Sequence, residues 1–165
     1  MTRDGEEAWL RQEVIDTACA MSAEGLSPGT SGNVSARWRN GMLITPTGMP
    51  YAGLIPEDIV FVDESGASEG PRKPSSEWRF HLAAYDARKD AGAIVHAHSR
   101  YATALACDRK PIPAFHYMVA VAGGSDIPLA GYATFGSTEL ADEVARALKD
   151  RKACLMANHG QIAWG

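Results

Sequence analysis

The sequence has no apolar run near the roughly 20 residues that a membrane-spanning helix needs. Its first residues, MTRDGEEAW, carry neither the basic nor the apolar region of a signal peptide. The expected location is therefore the cytoplasm. Cysteine is scarce. Cys19, Cys107 and Cys154 form no CxxC pair, and three thiols in a reducing compartment read as core residues, not as disulfides, zinc ligands or nucleophiles. No block of like charge occurs, and 20 acidic against 16 basic residues leave a net charge of −4. A polynucleotide backbone needs clustered cations, so no nucleic-acid partner is expected. Internal repeats and low-complexity segments are absent too.

What remains is ordinary globular material. At 165 residues and 45% hydrophobic, the chain can bury one sizeable core. Leu10, Val14, Ala18 and Met21 at helical spacing predict a helix over 7–24, stopped by Gly25. SPGTSGNVS at 27–35 reads as a loop, MLIT at 42–45 as a strand, PTG at 46–48 as a turn and IVFVD at 59–63 as a strand. A surface loop over 64–74 leads to Ser75 and Ser76, which stand as N-caps before a helix over 76–88. AIVHAHS at 93–99 reads as a strand, followed by a short helix holding Ala102, Leu105 and Ala106. Residues 112–123 fit strand or helix equally. YATF at 132–135 reads as a strand, Ser137 caps a helix to about 149, and ACLMA at 153–157 is a buried strand. Alternating elements of this kind imply a layered α/β or α+β domain.

His96 and His98 stand two apart in a strand, so their side chains share one face. His159 follows another strand, and Gly160 after it would let the chain turn away. Three histidines with one open position form a catalytic zinc arrangement. The competing reading makes them ordinary buried polar residues, but buried imidazoles need partners and a shared metal supplies one. His81, one helical turn after Glu77, is either a partner of that residue or a core residue; spacing favours the core. Nothing local assigns a role to His116.

Glu77 falls in the first helical turn, where the helix dipole alone would account for a carboxylate. The alternative is chemical. Serine hydroxyls and free N–H groups at that helix start suit an anion such as phosphate, with Glu77 between anion and metal. The loop Gly29-Thr30-Ser31-Gly32-Asn33 and the turn Thr47-Gly48 add hydroxyls and close backbone approach.

At GTSGNVS, GMLITPTGMPY, IVFVD, KPSSEWRFHLAAY, IVHAHS, IPAFHYM, IPLAGYATFG and NHG, in that order, the chain resembles the class II aldolase/adducin family. The matching segments span nearly the whole chain. The resemblance implies a three-layer sandwich, a central, mainly antiparallel sheet flanked by helices, over one domain at 1–165 that lacks the family's C-terminal helices. It implies a homotetramer with sites at subunit interfaces. It also implies one Zn2+ per subunit on His96, His98 and His159, with Glu77 as acid/base and a fourth ligand at rest. Gly32, Asn33, Thr47, Gly48, Ser75 and Ser76 match phosphate-binding positions, and Tyr117 matches a proton donor near the aldehyde oxygen. The implied reaction is aldol cleavage of a ketose 1-phosphate to dihydroxyacetone phosphate and an aldehyde such as lactaldehyde. Asn158, where relatives can carry a second histidine, is expected to matter little. A dehydratase, an epimerase or an aldolase for another deoxy-ketose 1-phosphate shares the scaffold. A non-catalytic adducin-like module would have lost the histidines.

Overall fold

A computed structural model describes residues 2–165. Helix α1 spans Arg3–Ala23, N-capped by the Thr2 hydroxyl, and Gly25 ends the run at φ +68°. Strands β1 (Asn33–Trp38) and β2 (Gly41–Ile44) form a hairpin; β3 (Val60–Asp63) and β4 (Ser68–Glu69) follow. Helix α2 covers Trp78–Ala87, β5 Ala93–Ala97 and α3 Arg100–Cys107. A 3-10 helix at Tyr117–Ala122 precedes β6 (Leu129–Ala130), α4 (Thr138–Leu148), β7 (Ala153–Met156) and β8 (Gly160–Trp164).

One sheet runs β4-β3-β2-β1-β5-β8-β7-β6, and every pairing is antiparallel except β6 with β7. Period-two alternation sorts its side chains between two cores. Leu43 and Phe61 pack with Val34 and Ala36 under Val14, Ile15, Ala18 and Met21 of α1. Met42, Ile44, Val60 and Val62 face the other way, against Phe80 and Ala84 of α2 and Leu140 and Val144 of α4. The result is the expected α/β sandwich of three layers. Among the described residues no helix is long and apolar enough to cross a membrane.

Several local expectations need correction. The loop expected over 27–35 ends at Gly32, because Asn33–Trp38 is a central strand. Val34, Ala36 and Trp38 alternate there with Asn33, Ser35 and Arg37, a pattern the polar composition obscured. The surface loop over 64–74 contains the short edge strand β4. Ser75 and Ser76 are not N-caps; Glu77 occupies that position, and the helix begins at Trp78. Residues 132–135 form no strand. The strand lies at Leu129–Ala130, after which the Gly131 amide donates to Glu143 at 3.0 Å and the chain leaves the sheet. The stretch after His159, unassigned from sequence, is β8, paired with both β7 and β5.

Candidate metal centre

The register of β1 with β5 sets Asn33 directly beside His96 on the face that α2 covers. His98 follows the end of β5, and His159 sits in the tight β7–β8 turn. The three imidazoles converge with ring centroids 4.7–5.0 Å apart and near-perpendicular planes. His96 Nε2 lies 2.9 Å from His98 Nε2. Glu77 closes the group, with Oε2 at 3.2 Å from His96 Nε2 and Oε1 at 3.0 Å from His159 Nε2.

The turn works differently from the sequence reading. Asn158, at φ +58°, makes the left-handed step, and Gly160 does not. Gly160 is required by crowding: a Cβ there would lie 2.6 Å from the Ala97 carbonyl oxygen and 2.7 Å from the His98 ring. Gly32 has both reasons, since its φ is +78° and a Cβ would meet the Ser27 hydroxyl and the His96 carbonyl. Ser27 in turn accepts from the His98 amide at 3.0 Å.

The donor chemistry fits a divalent ion. The Gln161 carbonyl can only accept, so His96 Nδ1 donates to it at 2.8 Å. In the neutral ring, His96 Nε2 then carries a lone pair facing a carboxylate oxygen. That arrangement needs a positive charge, which a metal on Nε2 supplies; a backbone acceptor behind the ring is the usual support of such a ligand. Burial alone would raise the Glu77 carboxyl. The His159 and His96 rings within hydrogen-bond distance, with positive charge on them, instead hold it well below the ordinary carboxylate range.

A cavity of about 530 Å³ opens on this cluster. Gly32, Asn33, Thr47, Gly48, Ser75 and Ser76 all line it, beside Glu77, His98 and His159. No lysine or arginine does, so the groups this lining could offer an anion are hydroxyls and amides. Tyr132, Ala133, Thr134, Phe135 and Asn158 also line the cavity, and sequence reasoning had assigned none of them to it. Tyr117 is the exception among the expected residues. It is 80% exposed on the 3-10 helix and lines a separate cleft with Phe115 and His116. The structure does not bring it to the metal cluster of its own chain. His116 caps that helix, Nδ1 accepting from the Met118 amide at 3.2 Å.

His81 meets both readings that the sequence offers, the core residue that spacing favours and the partner of Glu77. It is a fully buried core residue, and it is also tied to Glu77. Its Nε2 lies 2.5 Å from Asn33 Oδ1, and Asn33 Nδ2 donates to Glu77 Oε2 at 2.8 Å. Strand period two and helix period four were the available signals: Asn33, Ser35 and Arg37 face Glu77, His81 and Tyr85.

Three nitrogen donors, an adjacent carboxylate and an open side define a metal-dependent enzyme. Residues 12–165 match the Class II Aldolase and Adducin N-terminal domain, and the chain belongs to that family of metal-dependent lyases. It is 55% identical over 154 residues to an L-fuculose phosphate aldolase of Escherichia coli, covering 93% of this chain and 72% of that one. It is 53% identical over 161 residues to a 5-methylthioribulose-1-phosphate/5-deoxyribulose-1-phosphate aldolase of Rhodospirillum rubrum, covering 98% and 73%. A solved L-fuculose 1-phosphate aldolase superposes with a TM-score of 0.91 at 45% identity, covering all of this chain and 76% of that one.

Proposed function

We propose that the protein is a zinc-dependent aldolase cleaving a ketose 1-phosphate of the L-fuculose 1-phosphate type. The products are dihydroxyacetone phosphate and an aldehyde such as lactaldehyde. The observation that carries this reading is one cavity lined by His98, His159, Glu77 and all six neutral candidate phosphate residues, with His96 buried behind it as the third member of the histidine cluster. Ser75, Ser76, Thr47, Gly48, Gly32 and Asn33 bind and orient the phosphate through hydroxyl and amide donors. That fixes the carbonyl end of the substrate near the histidines. A zinc ion there supplies Lewis-acid stabilisation of the negative charge that cleavage leaves on the three-carbon fragment.

Glu77 holds or moves the proton at the carbon next to the carbonyl, taking it in the condensation direction and returning it in cleavage. At rest the same carboxylate would be a fourth ligand to an ion held by the three histidines. Tyr117 serves the aldehyde oxygen of a neighbouring subunit. Its exposure beside Phe115, Met118 and Val121, all more than half exposed, suits a face covered by another copy. The working assembly on this reading is a cytoplasmic homotetramer of single class II aldolase-type domains.

A methylthioribulose or deoxyribulose 1-phosphate is the second reading, supported by the 53%-identical relative. Both readings share the phosphate and metal ends and differ at the aldehyde end. Zinc-loaded protein offered fuculose, rhamnulose, ribulose and methylthioribulose 1-phosphates, with dihydroxyacetone phosphate followed, separates them by kcat/KM. No release from any ketose at full zinc occupancy would sink the aldolase reading.

A further inference from the structure

We infer that His81 is a positioning residue for the site: through Asn33 it fixes which face of that amide meets Glu77 and the phosphate cavity. The inference rests on the proposed aldolase site, and its starting point is a zipper between two elements. On β1, Asn33, Ser35 and Arg37 point toward α2 at strand period two. Glu77, His81 and Tyr85 answer them at a spacing of four, the period of one helix face. A two-residue strand step is roughly 6.8 Å and a four-residue helix step roughly 6 Å, so the two rows stay in register.

Every hydrogen-bond direction in the zipper follows from one fixed end. The Glu77 carboxylate only accepts, so the Asn33 atom 2.8 Å from it is the amide nitrogen. The second Asn33 proton is on the cavity side, where it meets the Ser75 hydroxyl at 3.0 Å and can be shared with a bound phosphate oxygen. Asn33 Oδ1 must then accept from His81 Nε2, which makes His81 the Nε2–H tautomer. His81 Nδ1 is left as an acceptor and takes the Ser35 hydroxyl proton at 2.8 Å. The Ser35 oxygen accepts from the Tyr85 hydroxyl at 3.0 Å. Arg37 closes the row, its guanidinium 4.6 Å over the Tyr85 ring and bonded to the Tyr85 carbonyl at 3.0 Å.

Asn33, Ser35, His81 and Tyr85 are all buried, so water does not compete for these groups. Reversing the Asn33 amide would set a carbonyl oxygen against the Glu77 carboxylate and against the anion cavity. It would also leave His81 Nε2–H facing a donor. Ser35 and Tyr85 are therefore part of the same device: they hold the tautomer that holds the amide.

The test uses the zinc-loaded enzyme. Its five histidines are labelled with nitrogen-15, and His81 is assigned by its loss in His81→Gln. The expected spectrum shows a neutral Nε2–H ring; an Nδ1–H ring would overturn the inference outright. In kinetics, His81→Leu should keep its zinc and lose roughly 10–100-fold in kcat/KM. His81→Gln, whose amide can donate to Asn33, should recover most of that. The His81→Leu/Asn33→Ala double variant should be no worse than Asn33→Ala alone, because one acts through the other. Additive losses, or no rescue by glutamine, would reduce His81 to packing. If no ketose phosphate is cleaved, the aldolase reading fails alone. The tautomer, and inorganic phosphate affinity of wild type, His81→Leu and His81→Gln, still decide the inference: a phosphate affinity unchanged in His81→Leu would refute it.

Discussion

Gly160→Ala tests whether the metal cluster depends on the close approach of β8 to β5. The added methyl would sit 2.6 Å from a backbone oxygen of β5 and 2.7 Å from the His98 ring. Ordinary contact begins at 3.4 Å, so something must yield by roughly 0.8 Å. The Ala97 oxygen is fixed by the strand, which leaves two routes. Either the His98 ring swings aside, or the β7–β8 turn lifts and carries His159 with it. Both displace a ligand by more than the roughly 0.5 Å that an organised site tolerates.

Overpacking of this kind costs about 1–3 kcal/mol of stability, and a displaced ligand about 10–100-fold in metal affinity. Zinc affinity is read by competition with a chromophoric chelator, and stability by thermal unfolding of the metal-free protein. Gly53→Ala is the control, since nothing lies within 4 Å of its Cβ position and its backbone is not left-handed. It should change neither quantity. Wild-type zinc affinity in Gly160→Ala, with the fold intact, would refute the argument that crowding here sets ligand geometry.

Three further outcomes are expected. Glu77→Gln should keep zinc and fold but lose about 10²–10⁴ in kcat; an unchanged rate removes Glu77 from proton transfer. Protomers carrying Tyr117→Phe, mixed with Glu77→Gln protomers and reassembled, should regain measurable activity, because each supplies what the other's site lacks. No recovery in mixed oligomers would show that sites are not shared. The third concerns pH. Burial, then the charge of His96, lowers His81 to about 3 despite the opposing pull of Glu77. The unfolded chain binds the extra proton between about pH 6.5 and 3, so this contribution to stability is complete above 6.5 and shrinks as pH falls. The stability lost by wild type between pH 7 and 5 should exceed that lost by His81→Gln by about 2 kcal/mol in urea unfolding. Equal losses would mean that His81 titrates normally.

Much of this was legible because it depends on short-range periodicity. HxH in an apolar run puts two imidazoles on one strand face whatever the topology, and the helices at α1 and α4 carry their own stops and caps. Among the strands that went unseen, β4 and β6 are only two residues long, and β1 carries polar residues on a buried face. Asn33 and Ser35 look like loop residues until α2 supplies partners for them, and that pairing spans more than 40 residues of sequence. The Ser75–Glu77 segment failed for a related reason. Ser75 spends its hydroxyl accepting from Asn33 and from the Glu77 amide, so local capping lost to tertiary hydrogen bonding. Tyr117 differs: it lies outside its own chain's metal-site cavity, and on the proposed reading its work is done at a neighbouring subunit's site, which a single chain does not display.

The absence of clustered cations, which counted against a polyanionic partner, is consistent with a phosphorylated substrate once the cavity is considered. A nucleic acid is held by a field spread over many phosphates, and that field needs basic residues. A single phosphate can be held by geometry. Hydroxyls and backbone amides within one cavity satisfy its oxygens without adding charge. A lysine there would compete with the histidine-bound ion for the carboxylate of Glu77, and would favour the anion wherever it lay. Neutral donors leave the ion as the main charge in the cavity. On the proposed reading the substrate would then be drawn toward the atoms that react, and the hydroxyls would determine how it is turned.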